Sequence, residues 1–167
     1  MDTKPIWLNE AESRPNDLIK VSKASLEKRY IKYAVIPERL FFAEPDSNGN
    51  FILPAKKILS MEKELIKKMR DEQLLKECTE RNNKGNELEK NGQIIEAIKI
   101  YEENIKPGCY PAMHSFDRLL VLYRRNLDYK NEMRVCKRAI AVFKGVEKYA
   151  IRLEKIQELI GKNESGL

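Results

Sequence analysis

Two stretches of this chain carry the same pattern at a fixed offset, and both carry it at helical spacing. The first runs from Lys84 through Gly85, Leu88, Gly92, Ala97 and Tyr101 to Asn104 and Ile105. The second runs from Leu119 through Tyr123, Asp128 and Tyr129 to Ala139 and Ile140. Asn104-Ile105 and Ala139-Ile140 hold the same place in their copies, and 139 − 104 gives an offset of 35. Self-similarity at such a period marks helical hairpins that bury their apolar faces only by stacking on their neighbours. The chain is therefore expected to be all-α over this region.

The residues within each copy narrow the pattern. Gly85 places a small residue on a first helix, and Leu88 follows as a large apolar one. Gly92 falls where a tight turn is needed. Ala97 places a small residue on a second helix, with the aromatic Tyr101 four positions on. In order and spacing this resembles the tetratricopeptide repeat, whose period is about 34 residues. The second copy is more degenerate. Phe116, Leu119, Leu120, Tyr123, Tyr129 and Ala139 fit, but Leu120 stands at the first glycine and Leu127 at the turn glycine. Glu132 stands at the small residue and Cys136 at the aromatic, and the proline after the second helix appears only in copy one, early, as Pro107. Two generic amphipathic helical hairpins are the alternative. The resemblance implies a short α-α superhelix, and an interaction module in place of an enzyme.

Composition fits that class. The chain has 167 residues, 35% charged and 42% apolar, enough for a real core and for long solvated helix faces. Apolar runs such as Ala139 to Phe143 fall far short of the ~20 residues that span a membrane. The opening Met1-Asp2-Thr3-Lys4-Pro5 leads into no apolar segment, so no signal peptide is expected. Cys78, Cys109 and Cys136 are odd in number and widely spaced, as reduced cytosolic thiols are. A cytoplasmic protein follows as the expectation.

Organisation changes near Pro54. Residues 1–16 are polar with two prolines, Pro5 and Pro15, and read as irregular. Leu18, Val21, Leu26, Tyr30 and Tyr33 approach helical spacing, which predicts a helix from Leu18 to Ile36 that stops before Pro37. Leu40-Phe41-Phe42 and Phe51-Ile52-Leu53 flank Asn48-Gly49, which predicts a small β-hairpin or a packed loop. Pro54 suits the first turn of a long helix. That helix carries Ile58, Met61, Leu65, Ile66 and Met69, then Leu74, Leu75 and Cys78, and either runs into the first repeat or breaks near Asp71. Val146 to Ile160 puts Tyr149, Leu153 and Ile156 on one face, as a terminal cap does, with Gly161 ending it. Two parts are expected: residues 1–54, helical or irregular with whatever strand exists, and residues 55–167, the helical repeat domain.

Residues for chemistry are few. His114 is the one histidine, and with Cys109 it makes two potential ligands where a structural zinc needs about four. Asp46, Asn48 and Asn50 alternate like the start of a calcium loop, but no glutamate closes it, and a turn is expected. Gly85, Gly92 and Gly108 lie too far apart to cradle a phosphate. No metal, cofactor or catalytic group is expected.

Charge is distributed unevenly. The net +6 divides into 0 over residues 1–54, +1 over residues 55–110 and +5 over residues 111–167. The basic third is either a solvated outer face or a patch for an acidic peptide or nucleic acid. In tetratricopeptide proteins the first helices of successive hairpins line a concave groove. Carried over, that implies Asn82, Asn86, Glu89 and Lys90 from copy one, and His114, Asp117, Arg118, Val121, Arg124 and Arg125 from copy two. Some members of the family clamp a terminal carboxylate with lysine, asparagine and arginine. Here Asn86 matches, but Asn82 and Arg118 replace the expected lysine and second asparagine, so the clamp is incomplete. A protein or extended peptide bound through amides and charge-assisted hydrogen bonds is the first expectation, with nucleic acid second. Asn86, Arg118 and Arg125 are expected to serve binding without supporting the fold.

Overall fold

The computed structural model describes residues 4–36 and 44–164. These residues are mostly helical, with one small two-stranded antiparallel sheet. In chain order they form α1 (Ile6–Ser13), β1 (Leu18–Ser22), α2 (Lys23–Tyr30), a 3-10 turn (Ile31–Tyr33) and β2 (Asn50–Pro54). Then come α3 (Ala55–Lys90), α4 (Ile94–Asn104), α5 (Met113–Arg125), α6 (Tyr129–Val142) and α7 (Glu147–Glu164). The chain divides into two compact units, Met1–Glu72 and Gln73–Leu167, with α3 contributing to both. Every strand among the described residues precedes Ala55.

The first unit is built on the sheet. β1 pairs with β2, Leu18 opposite Pro54 and Ser22 opposite Asn50. Ile19, Val21, Phe51 and Leu53 turn inward while Leu18, Lys20 and Ile52 face out. This corrects the predicted helix from Leu18 to Ile36. Its first residues alternate with period two, and β-branched Ile19 and Val21 suit a half-buried strand. The helix starts only at Lys23, where the Ser22 side chain accepts from Ser25 N (3.1 Å), a hydroxyl N-cap. Residues 6–13 also depart from expectation. They form α1 instead of irregular chain, because Leu8 and Ala11, three apart, bury one face completely. The predicted strand at Leu40-Phe41-Phe42 lies outside the described residues. The turn before β2 is closed by Asp46, whose Oδ1 accepts from the backbone of Asn48 and Asn50, both at 2.9 Å. A salt bridge from Lys20 (2.7 Å) holds the Asp46 carboxyl near pH 2, well below its ordinary range, with help from those backbone donors. Arg29 and Tyr30 of α2 both bond to Glu62 of α3.

The second unit repeats itself. α3 ends at Lys90 and α4 begins at Ile94; α5 ends at Arg125 and α6 begins at Tyr129. Each boundary recurs at the sequence offset of 35. Both turns use a left-handed residue at the same place, Gly92 at φ 74° and Leu127 at φ 55°. Glycine adopts that conformation without steric cost, and leucine does not. The close approach of α3 and α4 depends on Gly85. A Cβ there would lie 2.5 Å from Tyr101 Cε1 and 2.6 Å from Tyr101 Cζ. Ala97 and Tyr101 are fully buried, as are their counterparts Glu132 and Cys136. α7 packs on α6 through Tyr149 and Ile156, both fully buried, and Cys136 Sγ donates to Tyr149 O (2.9 Å). Phe143 bridges Phe116 and Tyr149 with ring centroids 5.1 Å and 6.0 Å away. α3 runs unbroken past Asp71, and α7 continues through Gly161 to Glu164 instead of ending at that glycine. One glycine weakens a helix by only about 1 kcal/mol.

Candidate functional site

The second unit carries its polar side chains in two groups. The first is a seam joining α3, α4 and α5. Asn104, buried on α4, donates to Cys78 O (3.1 Å), Asn82 Oδ1 (3.0 Å) and Ser115 Oγ (3.0 Å). Ser115 Oγ donates in turn to Asn82 Oδ1 at 2.6 Å. One turn along, the buried Tyr101 hydroxyl lies 2.8 Å from both Asn86 Oδ1 and Glu89 Oε1. His114 Nε2 reaches the same Asn86 oxygen at 3.1 Å. Arg118 closes the row with a two-pronged ion pair to Glu89, its Nε at 2.9 Å. That pairing raises the Arg118 pKa further and holds the Glu89 carboxyl below its usual range against the opposing effect of burial. Burial, reinforced by the Glu89 bond, pushes the Tyr101 phenol well above its ordinary value.

The second group surrounds a cavity of about 420 Å³ between α5 and α7. Asp117 and Arg124 line it from α5; Lys148, Tyr149, Arg152 and Lys155 line it from α7. Leu120 and Ile151 supply apolar wall. Behind it, the carboxyl of Glu132 is fully buried on α6. It accepts from Arg124 Nε at 2.6 Å and from Arg152 Nε at 2.8 Å. A carboxyl removed from water needs such partners, because an uncompensated buried charge costs several kcal/mol. Lys148 pairs with Asp117 at 2.8 Å, and Tyr149 OH donates to Asp117 Oδ1 at 3.0 Å.

Of the ten residues expected in a groove, Glu89 holds Arg118 in the seam and Val121 is half-buried on α5, and the other eight fall in three places. Asn82, Asn86, His114 and Arg118 lie in the seam, bonded to the protein itself. Asp117 and Arg124 line the cavity. Lys90 and Arg125 sit exposed at the ends of α3 and α5. Asn86 and Arg118, expected to serve binding without supporting the fold, each bond a partner on a neighbouring helix, Tyr101 and Glu89. Lys148, Arg152 and Lys155 were missed. They form a basic stripe on α7 at intervals of four and three, beside the apolar stripe that marked the helix as a cap. Glu132 was legible only as a misfit in the repeat.

Among the described residues no helix is long and apolar enough to cross a membrane. Comparison with protein-family models, curated proteins and solved structures finds no match to this chain.

Proposed function

We propose that this protein is a binding module of stacked helical hairpins, akin to tetratricopeptide repeats, that docks an extended segment of a protein partner. One observation carries the reading: helix ends, helix starts and left-handed turn residues recur at the same 35-residue offset, Lys90 with Arg125, Ile94 with Tyr129, Gly92 with Leu127. A stack of this kind leaves a face of first helices for a partner. α7 begins at Glu147, 34 residues after the start of α5, where a third first helix would stand. The cavity between α5 and α7 then lies on that face. Free thiols at Cys78, Cys109 and Cys136 support a cytoplasmic setting. No catalytic step is assigned to the protein.

Nucleic acid is the weaker reading. In the basic last third, Arg118 and Arg134 are engaged by Glu89 and Glu102. Fewer free cations remain to displace counterions from a phosphate backbone. The test is an array of immobilised extended peptides of acidic, neutral and basic composition, probed with the full chain. Saturable binding to a discrete subset, competed by the same peptides in solution, is expected. No binding anywhere on the array, or indifferent binding everywhere, contradicts the proposal.

A further inference from the structure

We infer that the cavity between α5 and α7 is an anion-recognition site that takes paired carboxylates of an acidic peptide segment. This rests on the peptide-binding reading above and adds the charge of the partner.

The arginines are held ready by a residue that no ligand would touch. Glu132 is fully buried and fixes Arg124 through Nε alone. The two terminal nitrogens of Arg124 make no hydrogen bond among the described residues. Its guanidinium also rests 5.7 Å from the Tyr129 ring centroid, which restrains its plane. Arg152 spends Nε on Glu132 and one terminal nitrogen on Leu120 O (2.6 Å), leaving the other terminal nitrogen without a partner. The Arg124 fork, with its stem fixed, suits two-pronged recognition of a carboxylate, and Arg152 adds one further donor. Glu132 is therefore a positioning residue.

Formal charge sets the class of ligand. Arg124, Lys148, Arg152 and Lys155 bring four positive charges to the cavity, and Asp117 and Glu132 answer two of them. Two remain uncompensated, and Lys155 has no hydrogen-bond or ion-pair partner among the described residues. The volume falls in the ordinary range of ligand pockets. Ile151, half exposed at the wall, offers an apolar ledge to the methylenes of a bound acidic side chain. These cations converge on one cavity instead of marking a track, which favours a short acidic segment over a polynucleotide.

The test is fluorescence anisotropy of the full chain with a labelled hexapeptide of alternating Glu and Asp. Its neutral Gln and Asn analogue, inorganic phosphate and a single-stranded oligonucleotide serve as comparisons. The acidic peptide should bind at least about tenfold more tightly than the neutral analogue, and weaken as salt rises. The double variant Lys148→Ala/Lys155→Ala should lose roughly tenfold in affinity with unchanged melting, since both side chains are exposed. The control Lys130→Ala/Lys137→Ala, on exposed positions of α6, should change nothing. Equal binding of acidic and neutral peptides, with the double variant indifferent, overturns this inference and leaves the peptide-binding reading standing. Failure of every peptide on the array as well removes both. An oligonucleotide that outcompetes the peptide, or inorganic phosphate that displaces it at equal concentration, overturns the inference in favour of phosphate recognition.

Discussion

Replacing Gly85 by alanine sets two known effects against each other, and the structure decides the sign. Alanine is the better helix former by about 1 kcal/mol, and Gly85 lies inside a long helix, so propensity alone predicts stabilisation. Packing predicts the reverse. The new methyl carbon would sit 2.5 Å and 2.6 Å from two Tyr101 ring carbons and 3.0 Å from the hydroxyl oxygen. Ordinary carbon contacts lie near 3.5–4.0 Å, so the ring must retreat by roughly 1 Å. It has nowhere to go, being fully buried with its hydroxyl held at 2.8 Å by Asn86 and Glu89. Overpacking of this kind costs about 1–3 kcal/mol, and a strained hydrogen bond adds about 1 kcal/mol. The sum exceeds the propensity gain, so Gly85→Ala should destabilise by about 1–3 kcal/mol net. Urea unfolding followed by circular dichroism reads this directly. Gly161→Ala is the control, because a Cβ there meets nothing within 4 Å, and it should be neutral or slightly stabilising. Trimming the ring with Tyr101→Leu should shrink the Gly85→Ala penalty in a double-mutant cycle. If Gly85→Ala stabilises the protein as Gly161→Ala does, the close packing of α3 on α4 is refuted.

The turn residues give a paired test. Leu127→Gly should raise stability by roughly 0.5–1 kcal/mol, since Leu127 is left-handed at φ 55° and 69% exposed, while Gly92→Ala should lower it by about 1 kcal/mol; melting temperatures of the two variants check both signs. Ala97→Glu should cost about 3 kcal/mol or more, although Glu132 is tolerated at the equivalent place. Glu132 has Arg124 and Arg152, whereas Glu89 and Asp117 stand at the corresponding positions around Ala97, and an unchanged unfolding curve would sink that equivalence. Stability should fall in acid. Glu89, Glu62 and Asp46 bind their protons more weakly when folded than when unfolded, so their contribution is complete above about pH 4.5 and is lost as pH falls through their depressed values. Denaturant midpoints that stay flat from neutral pH to pH 2 would contradict this. The phenols of Tyr30, Tyr101, Tyr123 and Tyr149 are raised chiefly by burial, so the fold should also weaken above about pH 10, as their unfolded counterparts ionise first.

The second unit was legible because its spacing is tied to packing. Gly85, Ala97 and Tyr101 can occupy their positions only if two helices approach closely, so residue size alone revealed the hairpin. The first unit was less legible, because Leu18 to Tyr33 satisfies helical and alternating patterns at once. The partner strand that settles the choice lies about 30 residues further on, and such non-local pairing leaves little trace in a short window. The site was legible in part. Exposed positions of the first helices could be counted off, but their hydrogen-bond partners could not. Asn86 and Arg118 read as free groove residues, while Tyr101 and Glu89, each on a different helix from its partner, already hold them. The basic stripe of α7 went unread because its apolar stripe already explained the helix. Glu132 shows the converse case, since a departure from the repeat at one position marks where two arginines from other helices converge.

Chemical-shift mapping on the 19.6 kDa chain tests the central claim most directly. Isotope-labelled protein is titrated with the alternating Glu and Asp hexapeptide, and backbone amide shifts are followed to saturation. Binding on the face of the first helices predicts saturable shifts gathered on α5 and α7, strongest around Arg124, Lys148, Arg152 and Lys155. Shifts gathered instead on α6 around Lys130 and Lys137, or none at saturating peptide, would contradict the account.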